Sequence, residues 1–586
     1  MNRVLNGVPA SPGIVIGPVR VLLWEVPEVP HRVIDDAQVD REIERFRSAI
    51  VAATERLRQI RERAEHHAGQ EEAGIFEVQI GILDDQSLLN EVESYIRQNL
   101  DAEKAFDVVM HEWRQKFARS GASMVRERIG DLTDVHIRVL SVLMNLPDHD
   151  PDVPKGANAI LVTHDLTPSL TVQLDREAIA GIATDLGTKT SHVAILARSL
   201  GIPAVVGLRD ATTRIAGGEL AVLDGSSGML VIDPSPNEIE AFRMRAAARE
   251  RTEAELARLT DVDAVTTDGV RLTLRANVDL PEEAEAAARS GADGVGLMRT
   301  EFLVIGRTTM PDEEEQYRAY RRVVEAFAGH PVIVRTFDIG GDKLPVGGYP
   351  SEANPVLGWR AIRMCLDSPD LFKVQLRALL RAALHGDVRI MLPLIVSVEE
   401  VRAARGLLDE AAAELAAMGV PFNRRVPLGV MMETPGAALT ADTFAGEVDF
   451  FSIGTNDLVQ YTLAVDRGNA NLAQRFTPLH PAILRLVKRI VDVADGHGIE
   501  VGVCGEMASH PLTAFGLIGL GVRELSINPR AVGAVKQLVR GISTALAAEA
   551  ATAALNARTA ADAERELRFR LVAALGNGPL AGEGDH

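Results

Sequence analysis

The chain has 586 residues, of which 46% are hydrophobic and 25% charged, and its formal net charge is −20. That composition fits an ordinary soluble globular protein with room for roughly three or four domains. The acidic balance argues against a general nucleic-acid or anionic-membrane partner. Aromatic residues make up only 4%, so the packing is expected to be mainly aliphatic. Two cysteines, Cys365 and Cys504, cannot build a disulfide framework and suit a reducing compartment. The start, from Met1 to Pro9, is too short of apolar residues for a signal peptide. No uninterrupted apolar run approaches the ~18 residues a membrane span needs. The expectation is a cytoplasmic protein.

Through about Leu22 the chain is rich in Gly, Pro and Val and reads as short strands and turns. From Pro30 to Pro147 there is no intervening proline, and apolar residues recur at helical spacing. Ile43, Phe46, Ile50 and Ala53 form one stripe, and Ile75, Val78, Ile82 and Leu83 another. The pattern predicts a bundle of about four helices with breaks at Gly69, Gly121 and Gly130. A solvated coiled-coil spacer is the alternative.

An α/β texture returns at Val153, with strands expected at 159–162, 179–184, 204–206 and 220–223. Within it, Gly187 ends a strand and Thr190 and Ser191 are cap-type residues, so His192 falls in the first turn of a helix that stops at Gly201. The helix dipole there favours a neutral imidazole with a free lone pair. Unpaired N–H groups of the same turn can bind a phosphoryl group. The bland reading is a histidine packed as a surface cap. The early strands are expected to complete this sheet, which makes the bundle an insertion. The division is residues 1–23 with 150–235 for the α/β domain and 24–149 for the bundle. A connecting helix follows over 236–262, and the last domain covers 263–575.

The last domain shows eight strand candidates: 272–278, 294–298, 332–337, 388–394, 428–432, 450–453, 499–503 and 524–527. Helical stretches such as 281–290 and 398–418 separate them, which predicts a (β/α)8 barrel, with a doubly wound open sheet as the alternative. From about Thr544 the tail is Ala-rich and helical.

In such a barrel the residues just after each strand converge on one face. Those residues are Arg299, Arg335, Glu433, Asn456 with Asp457, and Cys504, and Arg467 follows closely. Arg299, Arg335 and Arg467 can grip phosphate in bidentate fashion. Glu433 and Asp457 would repel if close together, which a magnesium ion relieves by taking one or two carboxylates plus substrate oxygens and water. The alternative is that each acid pairs with a neighbouring arginine. Cys504 ends a strand beside Gly505. It is either an inert small hydrophobe or, with a thiol near its ordinary pKa of ~8.5, a proton donor. Cys365 is taken as structural.

The run Gly187–Gly207, with Gly-Thr-Lys-Thr-Ser-His-Val-Ala-Ile-Leu-Ala-Arg at its head, resembles the phosphohistidine motif of the phosphoenolpyruvate (PEP)-utilising enzymes. Together with the runs Asn354–Arg363 and Phe450–Arg467, the chain resembles over nearly its whole length the enzyme I family of the PEP:sugar phosphotransferase system. The resemblance implies a swivelling phosphohistidine domain, a helical domain that docks the phosphocarrier HPr, and a PEP-binding, dimerising barrel. It implies that His192 takes the phosphoryl group of PEP and hands it to a histidine of HPr. Magnesium would be held by Glu433 and Asp457. Arg299, Arg335, Arg467 and Asn456 would hold PEP, with Arg360 and Lys343 nearby. Cys504 would protonate the enolate, and Thr171 and Asp131 would contact the active histidine.

One region departs from the family. Where a second arginine is usual in the bundle, the chain reads Arg128-Ile129-Gly130-Asp131-Leu132-Thr133-Asp134, and Gln79 stands where histidine is common. This puts the identity of the carrier in question. The second functional expectation is therefore a PEP-dependent regulatory relay acting on a variant carrier. PEP synthases and pyruvate phosphate dikinases share the motifs but need an ATP-binding domain of several hundred residues, for which this chain has no room.

Overall fold

The computed structural model describes residues 3–22, 26–67, 70–118, 129–146, 158–166, 170, 178–187, 193–194, 197, 201–304, 309–340, 352, 354–467 and 469–576. The chain divides into two compact units, Met1–Arg251 and Thr252–His586.

The first unit holds strands β1 (Arg3–Asn6), β2 (Val8–Ser11), β3 (Ile14–Leu22), β4 (Ala159–Thr163), β5 (Ile179–Thr184), β6 (Ala204–Val206), β7 (Leu220–Asp224) and β8 (Met229–Ile232). They form one sheet in the order β1-β8-β7-β3-β4-β5-β6-β2. β3 lies parallel to β4, with Val19 opposite Ile160, and antiparallel to β7, with Ile16 opposite Val222. A parallel pair needs a crossover connection, and the chain from β3 to β4 supplies it as the helical insertion. β4 is buried along its whole length, so both faces of the sheet are covered. Ile160 and Val162 face one core, and Leu161 faces the other. Val193, Ala194 and Ala197 join Leu161 in that second core. They anchor the segment that follows His192. Gly201 takes φ +68°, and the Ile202 N–H donates to the Ala197 carbonyl at 2.9 Å. Gly201 thus takes the left-handed backbone that the sequence expects of this glycine.

The bundle corrects three expectations. It has five helices among the described residues rather than about four: Val39–His67, Gln70–Leu83, Gln86–Ile96, Ala102–Ala118 and Ile129–Leu143. The first stripe is as expected, with Ile43, Phe46, Ile50 and Ala53 all buried. On the second helix the inward residues are Phe76, Gln79 and Leu83, while Val78 and Ile82 are half-buried. A polar Gln79 on the inner face is what displaced the apparent stripe. Gly130 does not break a helix but sits in the first turn of one. Gly69 and Gly121 lie outside the described residues.

The connecting helix is Pro236–Ala257, opened by a capping box in which the Ser235 N–H and hydroxyl donate to Glu238 Oε2 at 2.8 and 2.6 Å. In the second unit, β9 (Thr273–Val278), β10 (Val295–Met298), β11 (Val332–Arg335), β12 (Val388–Leu392), β13 (Leu428–Met431), β14 (Phe450–Ile453), β15 (Glu500–Val503) and β16 (Glu524–Ile527) close into a barrel. β16 pairs with β9 in parallel, with Leu525 opposite Leu274, which rules out the open sheet. Leu297, Ile333, Met391, Met431, Phe450 and Cys504 pack together as one apolar cluster. Each comes from a barrel strand or its first following residue, so this layer fills the barrel interior. The tail forms two helices, Thr544–Leu555, which buries Ala547, Ala550, Ala551 and Ala554, and Ala560–Leu575, which buries Ala563, Leu567 and Leu571. Among the described residues no single helix is long and apolar enough to cross a membrane.

Candidate active site at the barrel mouth

Strand ends gather the charged residues. Arg335, the last residue of β11, has a side chain only 12% exposed, with Nη2 3.0 Å from Glu301 Oε1 and Nη1 3.1 Å from Asp338 Oδ2. Arg360 donates from Nε and Nη2 to the other oxygen of Asp338 at 2.9 and 2.6 Å. Its Nη2 also lies 3.6 Å from Asp457 Oδ2. Asp338 thus bridges two arginines, and its own N–H donates to Glu301 Oε1 at 3.0 Å. Burial works against charge on both arginines. The carboxylates around them outweigh it and raise both pKa values, so each stays protonated.

Glu433 lies two residues past β13 and is 2% exposed, and Asp457, in the first turn of helix Thr455–Leu463, is 7% exposed. Burial first, then Asp457 and Asp338, hold the Glu433 carboxyl well above the ordinary carboxylate range. One of its oxygens accepts the Leu394 N–H at 2.6 Å. The other lies where a Cβ on Gly454 would come within 2.7 Å, so the space beside it exists because residue 454 is glycine. Glu301, Asp338, Glu433 and Asp457 are four acids against two guanidiniums, so ionising all four would leave an excess of negative charge, which is why the Glu433 carboxylate is disfavoured. Among the described residues no group of three or more His, Cys, Asp or Glu side chains can hold a metal alone. Two carboxylates with space beside them fit a hard divalent cation that completes its shell with water and substrate oxygens.

Backbone strain surrounds the same residues. Leu394 has φ +56°, Ala361, next to Arg360, has φ +54°, and Ala464, which ends the Asp457 helix, has φ +55°. Non-glycine residues in this region cost on the order of 1–3 kcal/mol each and persist where the surrounding structure enforces them. At Leu394 the strained turn delivers the N–H that orients Glu433.

The other expected residues are less tightly gathered. Arg299 is 38% exposed and pairs with Asp279 at 2.7 Å. Asn456 Nδ2 donates to Glu506 at 3.3 Å, and the Glu506 N–H returns to Asn456 Oδ1 at 3.2 Å, which ties the ends of β14 and β15 together. Arg467 is exposed and is fixed by its N–H to Gln460 Oε1 at 3.0 Å. Cys504 is 3% exposed, with Sγ 3.7 Å from the Ile453 carbonyl. The expectation of an ordinary thiol pKa is corrected: burial in the apolar barrel interior pushes it up to about 11. Cys365 is fully buried and free, as expected of a structural residue.

His192, Thr171 and Lys343 lie outside the described residues. In the bundle, Gln79 Nε2 donates to Asp134 Oδ2 at 3.1 Å and Asp131 Oδ1 at 3.5 Å. Sequence reasoning passed over Glu301 and Asp338, which complete the arginine cluster. Their signal was partial: each follows a strand-end arginine by two or three residues, and Asp338 returns to its own arginine while Glu301 crosses from the Arg299 strand end to Arg335.

Comparison with known proteins gives a consistent result. The profile described as PEP-utilising enzyme, PEP-binding domain, matches residues 253–544. The N-terminal profile of that family matches 6–128 and its mobile-domain profile 155–228. The phosphoenolpyruvate-protein phosphotransferase of Bacillus sp. (strain S) is 41% identical over 533 residues, which cover 91% of this chain and 92% of the relative. That of Haemophilus influenzae is 40% identical over 565 residues, covering 96% and 98%. A solution structure of Enzyme I (nEIt) is 32% identical and covers 42% of this chain and 99% of that one, with a TM-score of 0.37.

Proposed function

The chain belongs to the phosphoenolpyruvate-protein phosphotransferase family of PEP-utilising enzymes, and from that premise we propose that PEP binds at the barrel mouth and phosphorylates His192. The observation that carries the reading is the buried pair Glu433 and Asp457 beside Arg335 and Arg360 at the strand ends. Use of a divalent metal goes with the family. Our reading is magnesium, held by Glu433 and Asp457, where it would neutralise charge on the phosphoryl and enolate oxygens.

The rest falls to the chain's own residues. Arg335, Arg299 and Arg467 hold the phosphate and carboxylate with Asn456, and Arg360 and Lys343 flank them. A neutral ring nitrogen of His192 attacks phosphorus in line, and the bond from phosphorus to the enol oxygen breaks. The Cys504 thiol, still protonated at neutral pH, gives its proton to the enolate carbon, and pyruvate forms. Phosphohistidine 192 then passes its phosphoryl group to a histidine of HPr docked on the helical insertion, with Thr171 and Asp131 beside His192. The two acceptors in turn require a swivel about the linker. The protein works in the cytoplasm as a homodimer through the barrel half.

Cys504→Ala is expected to slow pyruvate formation at least ten-fold with the KM for PEP within two-fold of the parent. In a Cys365→Ser background, alkylation of Cys504 should quicken about ten-fold per pH unit toward pH 11, as the thiolate fraction does. Equal losses of affinity and turnover would assign Cys504 to binding instead.

The reading as a whole is tested by incubating the protein with labelled PEP, magnesium and HPr. Label should pass through the protein to HPr. Stable label on the protein with none reaching any HPr would favour the regulatory relay, to which Gln79 in its pairing with Asp134 lends the support.

A further inference from the structure

Behind Arg335 runs a buried polar chain. Gln375, on helix Pro369–Ala382, is fully buried, as are Thr300 and Tyr320. The Phe337 N–H donates to Gln375 Oε1 at 3.1 Å. A backbone N–H can only donate, so this contact fixes which way round the amide lies. Nε2 therefore faces two hydroxyls, Tyr320 at 3.0 Å and Thr300 at 3.4 Å. Each hydroxyl donates onward: Tyr320 to Gln316 Oε1 at 3.1 Å, and Thr300 to the carbonyl of Arg335 at 3.0 Å. Gln316 Nε2 continues to the Pro311 carbonyl at 3.0 Å. Every bond in the chain runs in one direction, set by one backbone donor.

The two contacts on β11 matter most. Arg335 is its last residue, so the ladder no longer serves all the backbone groups just beyond it. Thr300 takes the Arg335 carbonyl and Gln375 takes the Phe337 N–H, one on each side of Thr336. Thr300 itself stands between Arg299 and Glu301, and Phe337 precedes Asp338. The clamp therefore joins the two strand ends that carry Arg299, Glu301, Arg335 and Asp338.

We propose that Gln375 and Thr300 are positioning residues for PEP binding, which fix the backbone of Arg335 and Asp338 so that the Arg335 guanidinium meets the phosphate in register. The proposal rests on the barrel-mouth site described above. A displacement near 1 Å at such a group can cost on the order of 10²-fold in rate. Gln375→Glu is the informative change, because it keeps the shape and the acceptor for Phe337 but removes both donors. Thr300 and Tyr320 would then turn to donate to the carboxylate, and the Arg335 carbonyl would lose its partner.

The experiment compares Gln375→Glu, Thr300→Val, Thr300→Ser and Arg335→Lys in the full-length protein, with KM for PEP and the magnesium activation constant at saturating PEP. Gln375→Glu and Thr300→Val should raise the KM for PEP at least ten-fold and move the magnesium constant less than two-fold. Thr300→Ser, which keeps the hydroxyl, should stay within two-fold of the parent for both. If Gln375→Glu fails to fold, Thr300→Val against Thr300→Ser decides the matter. Near-parental KM in Thr300→Val, or equal loss in Thr300→Ser, overturns the proposal while a raised KM in Arg335→Lys leaves the site intact. A parental KM in Arg335→Lys would instead overturn the site itself.

Discussion

Glu433→Gln is expected to lower kcat/KM for PEP by on the order of 10²–10³-fold without lowering the melting temperature. The substitution keeps the volume and the oxygen that accepts the Leu394 N–H, so no backbone donor is orphaned. It removes one charge from a cluster where burial and the neighbouring Asp457 and Asp338 already disfavour the carboxylate. Relieving that repulsion favours the folded state, so stability should hold or rise. Activity should fall because two carboxylates are the minimum the protein offers a magnesium ion here, and one amide is a poor substitute. Raising magnesium should recover part of the rate. A variant that kept parental activity at limiting magnesium would refute the metal assignment. One that lost activity only together with its fold would show that Glu433 is structural.

A fragment ending at Arg251, where the first compact unit ends, is expected to show no detectable reaction with PEP, yet to accept phosphate from phosphorylated HPr. It contains the sheet, the helical insertion and the segment of His192, and none of the arginines or acids of the barrel mouth. Its sheet has cores on both faces, and the bundle has one of its own, so the unit has the apolar interior an independent domain requires. The isolated remainder, 252–586, should bind PEP, sediment as a dimer and leave PEP unconsumed. Rapid labelling of the short fragment by PEP would place the substrate site before the linker and refute the division.

The barrel was legible because its eight strands are short, apolar and buried, each set off by helical spacing. The first residues after those runs pointed to the site for the same reason. What stayed hidden depended on contacts between distant segments. Asp338 reads as a solvated acid until Arg335 and Arg360 are seen on its two oxygens. The Cys504 thiol is shifted by Leu297, Ile333, Met391 and Phe450, from four other strands. Leu394, Ala361 and Ala464 take left-handed backbone without the glycine that would have announced it. In the bundle, Gln79 faces inward because Asp131 and Asp134, some fifty residues away, supply its partners. A stripe counted in apolar residues alone misses such a position.

The central claim is that His192 carries the phosphoryl group. Full-length protein incubated with labelled PEP and magnesium, without HPr, should take up label that is lost in acid and kept in alkali, as a phosphohistidine is, and peptide mapping should place it on His192. The His192→Ala variant should take up none. Undiminished label on that variant, or label mapped to any other residue of the parent, would contradict the account.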